Sequence, residues 1–201
     1  MSNDRETIFS SIQKALEPLP ERTAYPDWDD DMVISKSLPE VNTAKELFAE
    51  KLVAASGKYF DAVNQLVEFM LSEGYTFGYC DPSLAYHLED KEGIRFDTEY
   101  DMAKVDEYQF GITRASAAIA ETGTLMLNDN DTSARLGALA PWLHIAVVNE
   151  EDIAPTVLDA IHRFGDDPNI IFATGPSKTA DVEGILIQGV HGPGIQVALV
   201  V

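Results

Sequence analysis

The chain has 201 residues, of which 45% are hydrophobic and 9% aromatic, enough to bury one substantial core. Its 14 basic and 34 acidic residues give a formal net charge of -20, which argues against nucleic acid and anionic membrane as partners. A single cysteine, Cys80, excludes an internal disulfide and a four-cysteine metal or iron-sulfur site in this chain. The start of the chain lacks a signal-peptide pattern, and no apolar run is long enough to cross a bilayer, so we expect a cytoplasmic protein without its own metal.

Residues 1–40 are predicted to form a helix and an extended linker that pack on the rest of the chain. Asn3 or Asp4 can cap a helix whose apolar stripe stops before two prolines. The stripe consists of Ile8, Phe9, Ile12 and Leu16. Residues 21–40 combine prolines, an acidic cluster and isolated aromatics without periodicity, which is typical of a linker. We therefore expect one α/β domain over residues 41–201.

The first part of that domain shows an alternation of helix and strand patterns. Helices are predicted from Asn42 or Thr43 to about Ser56 and from Asp61 to Ser72. Predicted strands cover 58–60, 75–80 and 94–96, with a turn or short helix over 81–88. Such alternation is typical of a parallel sheet flanked by helices.

Glu121 is a carboxylate in a segment otherwise suited to burial, between the small apolar run 117–120 and a strand at 125–127. A buried ionised glutamate is costly unless it is paired or strongly hydrogen-bonded. Two interpretations stay open. Glu121 forms a structural ion pair with Arg114, Arg135 or Lys178, or it is a catalytic acid or base in a cleft.

The C-terminal half is predicted to alternate between strands and helices up to its end. Thr132 or Ser133 can cap a short helical turn, and His144 lies in an apolar strand, where we expect a hydrogen-bonded core or sheet-end histidine rather than a catalytic one. The other predicted elements are a strand at 143–148, a helix at 150–164, a strand at 170–173, a helix from Asp181 towards Gly189 and a strand at 195–201.

The loop after Ala173 carries three hydroxyl groups and one ammonium, on Thr174, Ser177, Thr179 and Lys178. Hydroxyl donors, a cation and the N–H groups of a following helix form a plausible cradle for a carboxylate or phosphate. Ligands collect at the carboxyl ends of parallel strands, where we place this loop. The alternative is that Ser177, Thr179 or Asp181 only caps the helix.

Several ordered motifs together resemble the LUD domain family, whose best-known members are lactate utilization C (LutC) proteins. The motifs are Ala118–Thr124, Arg135, Pro141–Val148, Thr174–Glu183 and Gly189–Pro193. Lys178 stands where the family commonly has arginine. With the loop, the resemblance nominates an anion-binding set: Arg135, Thr174, Gly175, Ser177, Lys178, Thr179, Asp181 and His191.

The resemblance implies a three-layer α/β/α sandwich with a mostly parallel sheet, similar to ribose-phosphate isomerases, glucosamine-phosphate deaminases and coenzyme A transferases. It also implies a role in the oxidation of L-lactate to pyruvate beside iron-sulfur partner subunits. This chain then holds no cofactor and contributes an anion-binding cleft or an assembly surface. The alternative is a free-standing enzyme for a sugar phosphate, a coenzyme A ester or a similar small anion, with Glu121 as base or nucleophile and Lys178 as clamp.

Overall fold

The computed structural model describes residues 3–17, 43–128, 133–163, 167, 169–180 and 186–201. The chain divides into two compact units, Met1–Lys36 and Ser37–Val201. In the first unit, helix α1 spans Asn3–Leu16 and the four residues of its predicted apolar stripe are exposed. The predicted linker lies outside the described residues, and the packing of residues 1–40 on the domain stays a prediction. None of the described helices has both the length and the apolar character that crossing a membrane requires.

The second unit contains most of the regular structure. Its described helices are α2 (Ala44–Ala54), α3 (Val63–Ser72), α4 (Arg135–Leu139) and α5 (Val157–Ile161), with 3₁₀ turns at Pro82–His87, Met102–Lys104 and Glu150–Asp152. Its described strands are β1 (Lys58–Phe60), β2 (Phe77–Cys80), β3 (Arg95–Asp97), β4 (Phe110–Arg114), β5 (Ala117–Ile119), β6 (Thr124–Asn128), β7 (Leu143–Val148), β8 (Ile153–Ala154), β9 (Ile170–Ala173), β10 (Lys178–Thr179), β11 (Ile187–Gln188) and β12 (Ile195–Val200).

The central sheet has six strands in the order β1-β12-β7-β4-β2-β3, and all neighbouring strands run parallel. Every residue of β7 is buried, as are five of the six in β12, because both faces of the sheet are covered. On one face, Leu66 and Met70 of α3 pack against the sheet. On the other face, Phe48 and Leu52 of α2 do so. The predicted α/β class with a mostly parallel sheet and flanking helices is confirmed.

A second, mixed sheet of four strands was not predicted from the sequence. Its order is β8-β5-β6-β9, with β5 antiparallel to β6 and β6 antiparallel to β9. Ala118 and Leu125 face the core that α2 shares with the central sheet, whereas Ile119 and Met126 face α5. Strand β9 was expected to be a parallel strand with the Thr174–Thr179 loop at its carboxyl end. That expectation is wrong, because β9 pairs antiparallel with β6.

The helix predicted over 150–164 is wrong in its described part. Glu150–Asp152 form a 3₁₀ turn, β8 follows, and α5 begins only after Pro155. Proline inside a helix removes one hydrogen bond and clashes with the preceding turn. Thr156 then starts α5 through a capping box with Asp159.

The helix predicted from Asp181 is also wrong where the structure describes the chain. Lys178 and Thr179 form β10, which pairs antiparallel with Ile187 and Gln188 of β11. Residues 181–185, and the expected cap Asp181 with them, lie outside the described residues. The hairpin therefore puts no helix N-terminus directly after Lys178.

The predicted cap of α4 is likewise corrected. Ala134 is the N-cap residue and provides no side-chain hydrogen bond, whereas the Ser133 hydroxyl donates to the Asp81 carboxylate. Thr132, the other expected cap, lies outside the described residues.

Candidate functional site

A pocket of about 250 Å³ lies between α4, the end of β9, the turn before β12 and one face of the central sheet. Its polar lining comes from His144, Thr174, Ser177, His191 and Gln196. The rest of its wall is apolar or glycine: Leu127, Ala138, Leu139, Ile171, Phe172, Ala173, Gly175, Pro176, Gly192 and Pro193. Mostly apolar walls with a few polar groups are typical of small-molecule sites.

Three buried polar side chains form a row across the strands behind this pocket. His144 and Gln196 face each other in register on β7 and β12, and His144 Nδ1 lies 2.9 Å from Gln196 Oε1. The amide nitrogen of Gln196 donates to the carbonyl of Val197, so Oε1 is an acceptor and Nδ1 carries the proton. His144 Nε2 therefore accepts a hydrogen bond from the Thr113 hydroxyl at 2.8 Å. These bonds assign one tautomer to the His144 ring, and the predicted hydrogen-bonded histidine is confirmed.

His144 is neutral in this environment. Its side chain is buried, and burial lowers its pKa from 6.5 to about 4, although the hydrogen bond to Gln196 acts in the opposite direction. The ring is therefore a hydrogen-bonding group without charge at neutral pH.

A close approach of α4 to the sheet shapes the wall beside His144. Gly111 of β4 pairs in register with His144, and a Cβ at this position would overlap the carbonyl of Gly137 in α4. Only glycine allows this approach, which puts Ala138 and Leu139 into the pocket lining.

Two glycine-proline turns form the opposite wall. The Ser177 N–H donates to the Pro193 carbonyl and the Gly189 N–H donates to the Ser177 carbonyl, both at 2.9 Å. Gly175 has a φ of 69° and would overlap the Ala55 carbonyl if it carried a Cβ. These contacts hold the turn that presents Ser177 against α2 and against the turn before β12.

The structure brings together only part of the predicted anion-binding set. Thr174, Gly175, Ser177 and His191 line the pocket. Arg135 lines a neighbouring cavity of about 10 Å³, which shares three wall residues with the pocket.

Lys178 and Thr179 belong to β10, outside the pocket lining. The Lys178 ammonium donates to the Ala55 carbonyl at 2.9 Å and to the Ser56 hydroxyl at 3.2 Å. Lys178 thus joins the hairpin to the end of α2, and its role as anion clamp stays a prediction.

Glu121 lies at the start of α5. Its carboxylate accepts a hydrogen bond of 2.7 Å from the Val157 N–H, the first of the helix. Among the described residues it forms no ion pair with Arg114, Arg135 or Lys178. This position supplies an acceptor to the helix start. Glu121 does not line the pocket, and its catalytic role stays a prediction.

The charge distribution around the pocket differs from that of the whole chain. Of the 15 lining residues, all but Leu127 come from residues 133–149, 169–180 and 186–201. These segments contain no aspartate or glutamate, whereas the chain contains 34. They do contain Arg135 and Lys178. An anion that approaches this pocket therefore meets no carboxylate from the segments that line it.

Among the described residues, neither Cys80 nor the side chains of types that bind metals form a metal site. No group of three or more His, Cys, Asp or Glu side chains in the described ranges is arranged to hold a metal ion. Burial, with a smaller contribution from Asp81, raises the pKa of Cys80 to about 12, so the side chain stays a thiol.

No ligand contact was predicted for His144 or Gln196 from the sequence. A signal was available, because each is the second residue of an otherwise apolar strand. Pairing of those strands in register turns two isolated polar residues into neighbours.

Comparisons with known proteins point to one family. Residues 79–201 match the LUD domain family. Lactate utilization protein C of Oceanobacillus iheyensis is 35% identical over 91 residues, which cover 41% of this chain and 39% of that protein. The proteins of the same name from Geobacillus sp. (31% over 115 residues, 53% of this chain and 46% of that protein) and Bacillus subtilis (33% over 103, 47% and 43%) are also similar. The matched region is less than half the length of each of these relatives.

A solved structure shares the fold. The crystal structure of a DUF162 family protein from Deinococcus radiodurans has a TM-score of 0.55 and 23% sequence identity. The alignment covers 79% of this chain and 96% of that one.

Proposed function

Because the chain belongs to the LUD domain family, we propose that it is a LutC-like component of a lactate utilization system and that its pocket binds a small 2-hydroxy or 2-oxo carboxylate. The observation that carries this proposal is the position of the pocket. All 15 lining residues fall within residues 79–201, the range that matches the family. The relatives' names supply the metabolic context.

The size and lining of the pocket support a small acid as ligand. At about 250 Å³ it is below the roughly 300–1,000 Å³ of sites for drug-sized ligands. The Ser177 hydroxyl is a hydrogen-bond donor for a carboxylate, and the acid-free segments around it reduce charge repulsion. Ala138 and Ile171 offer an apolar surface for a methyl group.

The sugar-phosphate alternative is weakened by the observed positions of Lys178 and Glu121. The Lys178 ammonium, which was the expected clamp, is directed to α2 and lies outside the pocket lining. Glu121, the expected base or nucleophile of the sugar-phosphate alternative, also lies outside that lining, so this pocket contains neither of the two groups on which the alternative depended.

The oxidation of lactate releases two electrons, so the proposal includes a partner that accepts them. In this chain Cys80 is the single cysteine, and it is buried. The resemblance to the family implies iron-sulfur clusters, and we place them on partner subunits, so that this chain's share is to bind and present the acid. Purification of the native protein with its bound chains tests this part, and an absence of iron-sulfur proteins among them would refute it.

Calorimetric titration of the purified chain with L-lactate, pyruvate and ribose 5-phosphate tests the site. We expect the two small acids to bind in preference to the sugar phosphate. Ser177→Ala should weaken binding of the acids about tenfold, since a hydrogen bond to a charged group contributes roughly 1.5–3 kcal/mol.

Glu121→Gln is the matched control, because it changes a carboxylate that lies outside the pocket lining. Its affinity for both acids should equal that of the wild type. If Glu121→Gln abolishes binding while Ser177→Ala has no effect, the site lies elsewhere.

A further inference from the structure

Three residues line both the pocket and the small cavity of about 10 Å³ beside it: Leu127, Ala138 and Ile171. Leu127 and Ala138 belong to the core that α2 shares with the central sheet, and Ile171 packs against that core. Residues that line two spaces stand at the boundary between them, so these three separate the pocket from the small cavity. A cavity of roughly 10–15 Å³ holds one water molecule, which is also about the room that one more carbon atom requires.

Ala138 has the smallest side chain at this boundary. It is 4% exposed, and its side chain is a single methyl group. Truncation of Leu127 or Ile171 would remove several carbon atoms from the core, at a cost in stability. Ala138 is therefore the position at which the boundary can change by one or two carbon atoms with the least disturbance of the fold.

The backbone of α4 is fixed beside Ala138 by two close contacts. Gly111 has no room for a Cβ against the Gly137 carbonyl, and Gly137 has none against the Tyr79 ring. Helix α4 is thus packed as close to the central sheet as its backbone allows. A larger side chain at position 138 cannot be accommodated by a shift of α4 towards the sheet, so its extra carbon atoms take up space in the pocket.

The Ser177 side chain lies close enough to this end of α4 for one small acid to contact both. A Cβ built on Gly192 would lie 3.3 Å from the Ser177 Cβ and 4.0 Å from the Leu139 carbonyl oxygen. Leu139 directly follows Ala138, and both line the pocket. An acid whose carboxylate accepts a hydrogen bond from Ser177 can therefore place its C2 substituent against Ala138.

We infer that Ala138 limits the size of the C2 substituent, so that the pocket prefers acids with a methyl group at C2 to acids with an ethyl group or a larger one. This inference rests on the proposed binding of a small acid, and it names the residue that selects among such acids. Ala138 determines specificity by direct contact of its methyl group with the substituent. One methylene group in an apolar pocket typically changes discrimination by about 10- to 200-fold.

Calorimetric titration with three acids that differ by one carbon atom each tests the inference. Glycolate, L-lactate and L-2-hydroxybutanoate carry a hydrogen atom, a methyl group and an ethyl group at C2. The wild type should bind L-lactate about tenfold or more tightly than L-2-hydroxybutanoate. Ala138→Gly opens the boundary towards the small cavity, so this difference should disappear in that variant.

Ala138→Val should have the opposite effect. Its two extra carbon atoms occupy the place of the methyl substituent, so L-lactate should bind about tenfold more weakly, whereas the affinity for glycolate should hardly change. Glycolate binding then shows, in the same variant, that the protein is folded and the pocket accessible. Thermal melts identify a variant that does not fold, and if Ala138→Val is one, Ala138→Gly decides the question alone.

Ala140→Gly and Ala140→Val are the matched controls, because Ala140 is the exposed C-cap residue of the same helix and lies outside the pocket lining. Both should keep the wild-type preference. An unchanged preference in Ala138→Gly, or an equal effect in Ala140→Gly, would overturn the assignment of Ala138. Binding of the acids and its weakening in Ser177→Ala would then still support the proposed function, whereas a wild type that binds none of the acids refutes both.

Discussion

Two polar clusters on the same sheet differ in what their hydrogen bonds contribute to the protein. The first is the row of Thr113, His144 and Gln196 on the central strands, where all three side chains are at most 3% exposed. The second is at the edge strand β3, where Asp97 accepts hydrogen bonds from Lys104 at 2.7 Å and from the Tyr108 hydroxyl at 3.0 Å. In the second cluster, the carboxylate and the ammonium remain 30% and 38% exposed.

Burial, rather than the number or length of the bonds, separates the two clusters. A group that loses its partner at the edge can form a hydrogen bond to water instead, so the free energy of unfolding changes little. A group that loses its partner in the central row is at most 3% exposed, so water replaces little of the lost bond and most of the desolvation is not compensated. The following predictions test this contrast.

Loss of the His144 ring should have the largest effect. His144→Leu leaves the Thr113 hydroxyl and the Gln196 carbonyl oxygen without their partner inside the core. We expect the free energy of unfolding to fall by roughly 3 kcal/mol, measured by urea denaturation at neutral pH. A change within about 0.5 kcal/mol of the wild type would contradict the importance of burial.

The pH dependence of the free energy of unfolding should show that folding keeps the His144 ring neutral. Because the pKa of His144 is lowered from 6.5 to about 4, the unfolded chain binds more protons than the folded protein between these values. The free energy of unfolding should therefore be unaffected by this group above pH 6.5 and fall as pH falls towards 4, by up to roughly 3 kcal/mol.

The difference between wild type and His144→Gln isolates this contribution. His87, whose pKa is also lowered by burial, acts in the same direction in both proteins and cancels. Equal pH profiles for the two proteins would show that His144 is not neutralised by folding.

The smallest effect is expected at the edge. Hydrogen bonding to Lys104 is the main cause that lowers the pKa of Asp97. Lys104→Ala should therefore raise the Asp97 pKa towards its usual value of 3.8, as measured by NMR titration, while the melting temperature hardly changes. A large loss of stability that persists at high salt would show that this exposed cluster behaves like the buried row.

Elements with strong local signals were predictable from the sequence. Helix α2 begins after Thr43, whose hydroxyl accepts a hydrogen bond from the Glu46 N–H, within the predicted range. Strands β1 and β7 were predicted with their observed bounds. In each case the deciding interactions lie within a few residues, or come from a continuous apolar run.

Local patterns failed at Glu150–Asp152, at β8 and at the hairpin of β10 and β11, although β9 between them has its predicted bounds. The apolar spacing after Glu150 resembles a helix, but Pro155 and the pairing of β8 with β5 decide otherwise. The hairpin of β10 and β11 depends on pairing of Lys178 with Gln188. Such pairings join residues that are distant in sequence, so local propensity does not predict them.

Some features of the candidate site were likewise predictable from the sequence, and others were not. Sequence by itself determined the family and the acid-free character of the pocket segments, and it nominated Thr174, Gly175, Ser177 and His191, which line the pocket, because these are properties of residue type and local motif.

Only the tertiary structure decided that His144 and Gln196 join that pocket, that Lys178 is bonded to α2 and that Glu121 lies at the start of α5. The physical reason is that a side chain's partner depends on which strands and helices pack together. Packing is settled by burial of apolar surface over the whole chain, not by the residues next to each group.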